Sequence, residues 1–154
     1  MGRWDFLKEP QAQKIADLDS AEALGYHRRA IREKPFLRQL YRDFYQEFIQ
    51  RLPSGASSRI VELGSGGGFL KEILPGVITA DVRFSPDIDL GFSAEQIPFQ
   101  DDSVDAFLLL NVFHHFSQPL RCLQEMVRCL RPGGRVIMIE PANTPWRRFV
   151  DGLA

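Results

Sequence analysis

The chain has 154 residues, of which 44% are hydrophobic and 25% charged, the composition of an ordinary globular protein. That length suits one domain with at most a short appendage. A formal charge of −1 and a pI near 6.3 give no positive field for nucleic acid. A disordered tail, a collagen-like repeat and a disulfide scaffold are excluded. The start, Met1-Gly2-Arg3-Trp4-Asp5-Phe6, lacks the apolar stretch of a signal peptide. The longest apolar run, Ala106 to Leu110, is far short of the ~20 residues of a membrane helix. A soluble cytoplasmic protein is expected, with no membrane partner. Cys122 and Cys129 would lie roughly 10 Å apart along a shared helix axis, beyond the roughly 7 Å reach of a disulfide. They read as reduced thiols used for packing.

Residues 1–26 have mixed charge and no clean period, and read as a loosely held arm with one helical turn around Ala12 to Ala23. Residues 27–53 read as a helical segment. Within it Phe36, Leu37, Leu40, Tyr41, Phe44, Phe48, Ile49 and Leu52 follow three-and-four spacing. Pro35 suits the first turn of that helix, so residues 27–34 form a separate helical piece. Pro53-Ser54-Gly55 ends it, and residues 54–154 form the main domain.

From residue 59 short apolar runs alternate with helical stretches. Arg59 to Leu63 reads as a buried strand, and Gly64-Ser65-Gly66-Gly67-Gly68 follows at once. Phe69 to Leu74 is a short helix, Val77 to Asp81 a second strand and Ile88 to Gly91 a weak third. Val104 to Leu110 is a fourth strand buried on both faces. Gln118 to Leu130 has helical period, with Leu120, Leu123, Met126, Val127 and Leu130 on its inner stripe. Arg131-Pro132-Gly133-Gly134 is a turn, and Arg135 to Glu140 a fifth strand. Strands alternating with helices predict an α/β fold with a parallel sheet.

A strand, a glycine-rich turn and a helix start make a ligand site at the carboxyl end of such a sheet. A phosphate-binding loop needs Gly-Lys-Ser/Thr, and no such run follows Gly64. The dinucleotide fingerprint needs a third glycine where Phe69 or Lys71 stands. A nicotinamide-dependent oxidoreductase is therefore a distant reading.

Val61-Glu62-Leu63-Gly64-Ser65-Gly66-Gly67-Gly68 resembles the first motif of class I S-adenosylmethionine-dependent methyltransferases, of the branch called type 11. The resemblance continues in order through Asp81, Ala94 to Asp105, Asn111 to Phe116 and Glu125 to Gly134. It implies a Rossmann-like sheet of five mostly parallel strands in order 3-2-1-4-5 with flanking helices, lacking the last two strands of that family. It also implies S-adenosyl-L-methionine as cofactor, held by Glu62, Gly64, Ser65, Gly66, Asp81, Val82, Ser93, Ala94 and Asn111. In this picture Gly64 and Gly66 let the chain pass beneath the methionine part, and Glu62 is available to its ammonium. Asp81 accepts both ribose hydroxyls. The function implied is methyl transfer to a small-molecule acceptor. The alternative is a methyltransferase-like cofactor-binding or assembly module without turnover.

Several features depart from the family. A serine, Ser93, stands where an acid usually meets the adenine amino group. The connection after Asp81 carries Pro86 and is too short for the usual helix. The chain ends at Ala154, where the family continues into further strands, so the fifth strand's outer edge is expected to pair in a homodimer or to be covered by a tail helix bearing Trp146, Phe149 and Val150. No catalytic residue is named by pattern. His114 and His115 are the only paired imidazoles, and read as one ring packed beneath the sheet and one half-exposed. No metal-ligand spacing occurs. The run Arg28, Arg29, Arg32, Lys34, Arg38 and Arg42 offers charge for an anionic acceptor, but the favoured reading is a solvated face.

Overall fold

The four residues of β1, Ile60–Leu63, are all buried, as a central parallel strand requires when both faces are covered. The structure, a computed structural model, describes residues 21–53, 59–83 and 86–142. Most of the N-terminal arm, and the tail with Trp146, Phe149 and Val150, lie outside the described residues. Around β1 stand β2 (Ile78–Asp81), β3 (Leu90–Gly91), β4 (Val104–Leu110) and β5 (Leu130–Ile139) in the order β3-β2-β1-β4-β5. Every pairing is parallel. The chain leaves β1 towards β2 on one side and returns to β4 on the other. The carboxyl ends of β1 and β4 therefore flank the topological switch point, where such sheets hold ligands.

Helices α1 (Ala21–Glu33) and α2 (Pro35–Arg51) cover one face of the sheet. Pro35 stands in the first turn of α2, as the sequence predicts. Tyr45 and Phe48 of α2 are fully buried among Ile60, Phe69, Leu70, Ala106 and Leu108. Phe36, placed on the buried stripe by its spacing, is instead 76% exposed, and the buried side chains of α2 are Tyr45 and Phe48. Between β1 and β2, α3 is a single turn, Leu70–Ile73. The short connection after Asp81 contains no helix among its described residues.

The other face is closed by α4 (Pro119–Cys129). Its buried side chains are Cys122, Met126 and Cys129, packed on Val61, Leu63, Phe107 and Leu109. Both cysteines are free. Leu120 and Val127, predicted inner, are instead 69% and 67% exposed. The true stripe is set by the two cysteines, which a reading by apolar residues alone leaves out. Arg128 ties α4 to the preceding loop, donating to the carbonyls of Ile97 and Phe99, each at 2.9 Å. It also pairs with Glu125 at 2.8 Å and Asp101 at 2.6 Å.

The Pro132-Gly133-Gly134 turn is absorbed into β5. Val104 pairs with Leu130 and Ala106 with Arg135, so the turn bulges from a continuous strand. Gly133, at φ 82°, supplies the left-handed residue.

Candidate functional site

Two of the loop's glycines adopt conformations that side chains resist: Gly64 has φ 67° and Gly66 φ 48°. Gly64 also lies against Val112, whose Cγ2 would stand 2.1 Å from a Cβ built there. The glycine turn and the segment after β4 are thus in direct contact. Ser65 stitches β1 to β2. Its amide donates to the carbonyl of Ala80 at 3.0 Å, and its hydroxyl donates to the carbonyl of Glu62 at 3.0 Å while accepting the amide of Ala80 at 3.2 Å.

Asp81 ends β2 and is 4% exposed. Its Oδ2 accepts the amide of Gly66 at 3.0 Å, and its Oδ1 accepts the amide of Arg83 at 2.9 Å. Each carboxylate oxygen therefore already holds a backbone donor, with lone pairs left over for a ligand. Val82, next in sequence, is 71% exposed. The amide of Phe92 donates to the carbonyl of Asp81 at 3.2 Å, which brings the Ser93–Ala94 turn alongside. Ser93 is exposed and its hydroxyl accepts the amide of Glu95 at 3.2 Å; Ala94 is half-buried.

Glu62 is buried at 3% exposure, and its Oε2 has no hydrogen-bond partner among the described residues. Burial raises its carboxyl to about 8; the Ser65 hydroxyl opposes this and the negative charge of Asp81 adds to it. Its Oε1 would stand 3.8 Å from a Cβ at Gly68, so the carboxyl lies directly under the glycine turn. A buried acid with an unused oxygen is costly unless a ligand or proton satisfies it. The hydroxyl of Tyr45 accepts the amide of Phe69 at 3.1 Å and holds the start of α3 beside it.

Asn111 follows β4 in a left-handed conformation, φ 53°, with its amide donating to Ile139 at 2.8 Å. The structure brings Glu62, Gly64, Ser65, Gly66, Asp81, Val82 and Asn111 to one end of the sheet, with Ser93 and Ala94 on the adjoining loop.

Both histidines sit in a 3₁₀ turn, Phe113–His115, and both are exposed. Neither packs beneath the sheet: the turn projects beyond the end of β4, and among the described residues no layer covers either ring. The basic run also departs from a solvated face. Arg28 has a side chain only 15% exposed, pairs with Asp87 and donates to the carbonyl of Gly66 at 3.3 Å. Its Nε is buried without a partner among the described residues, and burial lowers its pKa, with help from Arg32. Arg32 pairs with Glu72 at 2.7 Å, while Arg29 and Arg42 remain exposed. A cavity of about 270 Å³ lies between α1 and the glycine turn, lined by Arg28, Ser65, Phe69, Thr79 and Asp87 among others.

Arg28, Tyr45, Val112 and Glu140 also stand at this end of the sheet and were not among the predicted site residues. Val112 left a signal in the matched stretch Asn111 to Phe116, and Glu140 as an acid ending a strand predicted beside β4. Among the described residues no group of three or more His, Cys, Asp or Glu is placed to hold a metal. Nor is any described helix long and apolar enough to cross a membrane.

A family model described as a methyltransferase domain matches residues 61–138, half of the chain. The chain belongs to this family, the class I S-adenosylmethionine-dependent methyltransferases. An uncharacterized methyltransferase of Mycobacterium tuberculosis strain H37Rv is 33% identical over 107 residues, covering 60% of this chain and 44% of its own length. A demethylmenaquinone methyltransferase of Paenarthrobacter aurescens is 34% identical over 78 residues, covering 48% of this chain and 31% of its own. The chain therefore spans less than half the length of these relatives. A solved S-adenosylmethionine-dependent methyltransferase of Thermotoga maritima has the same fold, with a TM-score of 0.61, at 24% identity over 81% of this chain and 65% of that one.

Proposed function

We propose that this chain binds S-adenosylmethionine at the carboxyl end of β1 and β2 and transfers its methyl group to a small-molecule acceptor. One observation carries the reading: two buried carboxyls, Glu62 with an unused oxygen and Asp81 with spare lone pairs, flank a turn of left-handed glycines. Such a site offers acceptors. It suits an ammonium and two ribose hydroxyls and repels a phosphate. Glu62 and the backbone around Gly64 and Gly66 would take the ammonium and methionine part, Asp81 the ribose hydroxyls, and exposed Val82 with the Ser93–Ala94 turn the adenine. Bound there, the cofactor supplies an electrophilic methyl group on a sulfonium. The chain's own part is to position it and to keep Asn111 and the turn after β4 against it. The likeness to demethylmenaquinone methyltransferases supports a small-molecule acceptor.

Titration calorimetry tests the reading. Saturable 1:1 heat with S-adenosylmethionine, abolished by Gly66→Val, is the expected result; silence at millimolar ligand overturns it. Binding without transfer to any acceptor would favour the cofactor-binding module over the enzyme. We further propose a reducing, cytoplasmic setting, which the two free thiols suit, and a homodimer through the outer edge of β5, where Met138 is 41% exposed.

A further inference from the structure

The groups recorded against Glu62 among the described residues bring it no positive charge. Burial disfavours its ionised form first, the negative charge of Asp81 at the end of β2 adds to this, and only the Ser65 hydroxyl opposes it. From α2, Tyr41 and Tyr45 face it with phenols that burial first, and Glu62 second, push above their usual range. Both phenols are therefore neutral at neutral pH. Leu108 of β4, beside Glu62 in register, is apolar and fully buried. Arg28 reaches the glycine turn from α1, but it donates to the carbonyl of Gly66 and pairs with Asp87.

The place of the carboxyl is equally specific. A Cβ built at Gly68 would stand 3.8 Å from Glu62 Oε1 and 2.5 Å from the Tyr45 hydroxyl, so acid and phenol meet at the same residue of the glycine turn. The Tyr45 hydroxyl is occupied by the amide of Phe69 at 3.1 Å. Glu62 Oε2 is left buried and without a partner among the described residues. Such a group is satisfied by a proton or by a cation brought to it. Its midpoint of about 8 puts the proton on the free chain at neutral pH.

We propose that Glu62 is a proton-exchange site in cofactor binding: the free chain holds its carboxyl as the acid, and accepts the cofactor's ammonium in exchange for that proton. The inference rests on the cofactor reading above. The carboxyl O–H bond breaks, the proton passes to solvent, and the carboxylate left behind pairs with the ammonium. Glu62 is thus a neutral acid before binding and half of an ion pair after it, and the chain buries no lone charge there in either state. Proton and cofactor compete for one carboxyl, so cofactor affinity falls as the pH falls. The exchange governs loading, and Glu62 takes no part in the transfer step itself.

Calorimetry of S-adenosylmethionine with the full chain, in buffers of different ionisation enthalpy, counts the protons released. At pH 6.5 about one proton should leave per cofactor bound; binding without proton release overturns the exchange. From pH 7 down to pH 5.5 the cofactor's amine stays an ammonium, and wild-type affinity should fall on the order of 30-fold. Glu62→Gln copies the shape of the protonated acid, so it should bind more weakly at pH 7 and hold its affinity within about twofold over that range. His27, His114 and His115 titrate in both proteins and cancel from the comparison. Equal pH slopes in the two proteins assign the proton to another group and overturn the proposal. Infrared difference spectra of wild type against Glu62→Gln, with no cofactor added, read the free chain separately. A protonated-carboxyl band present at pH 6.5 and gone by pH 9.5 is the expected result; its absence at pH 6.5 overturns the proposal whatever the calorimetry shows. With that band present, failure of S-adenosylmethionine to bind at pH 7 overturns the cofactor reading and the exchange with it, whereas binding with a flat pH profile overturns the exchange alone.

Discussion

The amide of Gly66 donates to Oδ2 of Asp81 across 3.0 Å, so the glycine turn after β1 is tied to the tip of β2 before any ligand arrives. The same carboxylate holds Arg83 through its other oxygen. Asp81 thus shapes the turn, and in the proposed function its remaining lone pairs would accept the ribose hydroxyls. Asp81→Asn should weaken S-adenosylmethionine roughly 10–100-fold, the worth of about 1.5–3 kcal/mol for a hydrogen bond to a charged group. Calorimetry reads this; unchanged affinity would remove Asp81 from the site.

Glu62 makes stability fall with pH. Its folded carboxyl is raised to about 8 by burial, against an ordinary value of 4.5, so between these the folded chain binds the proton more tightly than the unfolded one. The stabilisation is complete below the unfolded value and is lost as pH rises through about 8. Glu62→Gln should therefore gain on the wild type by a few kcal/mol between acid and alkaline pH. Urea unfolding at pH 5 and pH 9 measures the difference; parallel curves for the two proteins would contradict the buried acid.

Gly64 combines a left-handed backbone with a missing Cβ that would meet Val112. Gly64→Ala should cost about 2–5 kcal/mol, from backbone strain and overpacking together. Adding Val112→Ala relieves the contact and leaves the strain, so the double variant should recover only part of the loss. Full recovery in denaturant unfolding would show that the φ angle costs nothing there.

Arg128 is the tether between α4 and the loop that leads into β4. Arg128→Ala leaves the carbonyls of Ile97 and Phe99 without its bonds and removes the partner that holds Glu125 below its usual range. Lower thermal stability and faster proteolysis within residues 97–103 are expected. Arg128→Lys should rescue little, because a single ammonium cannot span both carbonyls and both carboxylates.

The proposed homodimer joins two copies through the outer edge of β5. Light scattering at micromolar concentration should give twice the monomer mass of 17.6 kDa. A stable monomer would refute the dimer.

The amino-acid sequence by itself determined the α/β class and the residues of the glycine turn, while the strand order came from the family resemblance. Buried parallel strands are continuous apolar runs, and a glycine turn after such a run is a local signal, so Ile60 to Gly68 can be read without knowing what lies above them. Asp81 and Asn111 follow by their positions at strand ends. What periodicity could not decide was rotation. Leu120 and Val127 have the spacing of a core face, yet Cys122, Met126 and Cys129 take it, because the sheet's contour and not the spacing selects which arc of α4 is buried. Contacts between distant segments were also decided only in the tertiary structure. Arg28 reaches Gly66 across 38 residues, and His114 meets Glu140 across 26. The second pairing depends on the register that sets Leu110 beside Ile139. The bulge at Gly133 brings β5 into that register, and no local pattern in the chain specifies where a strand realigns after a bulge.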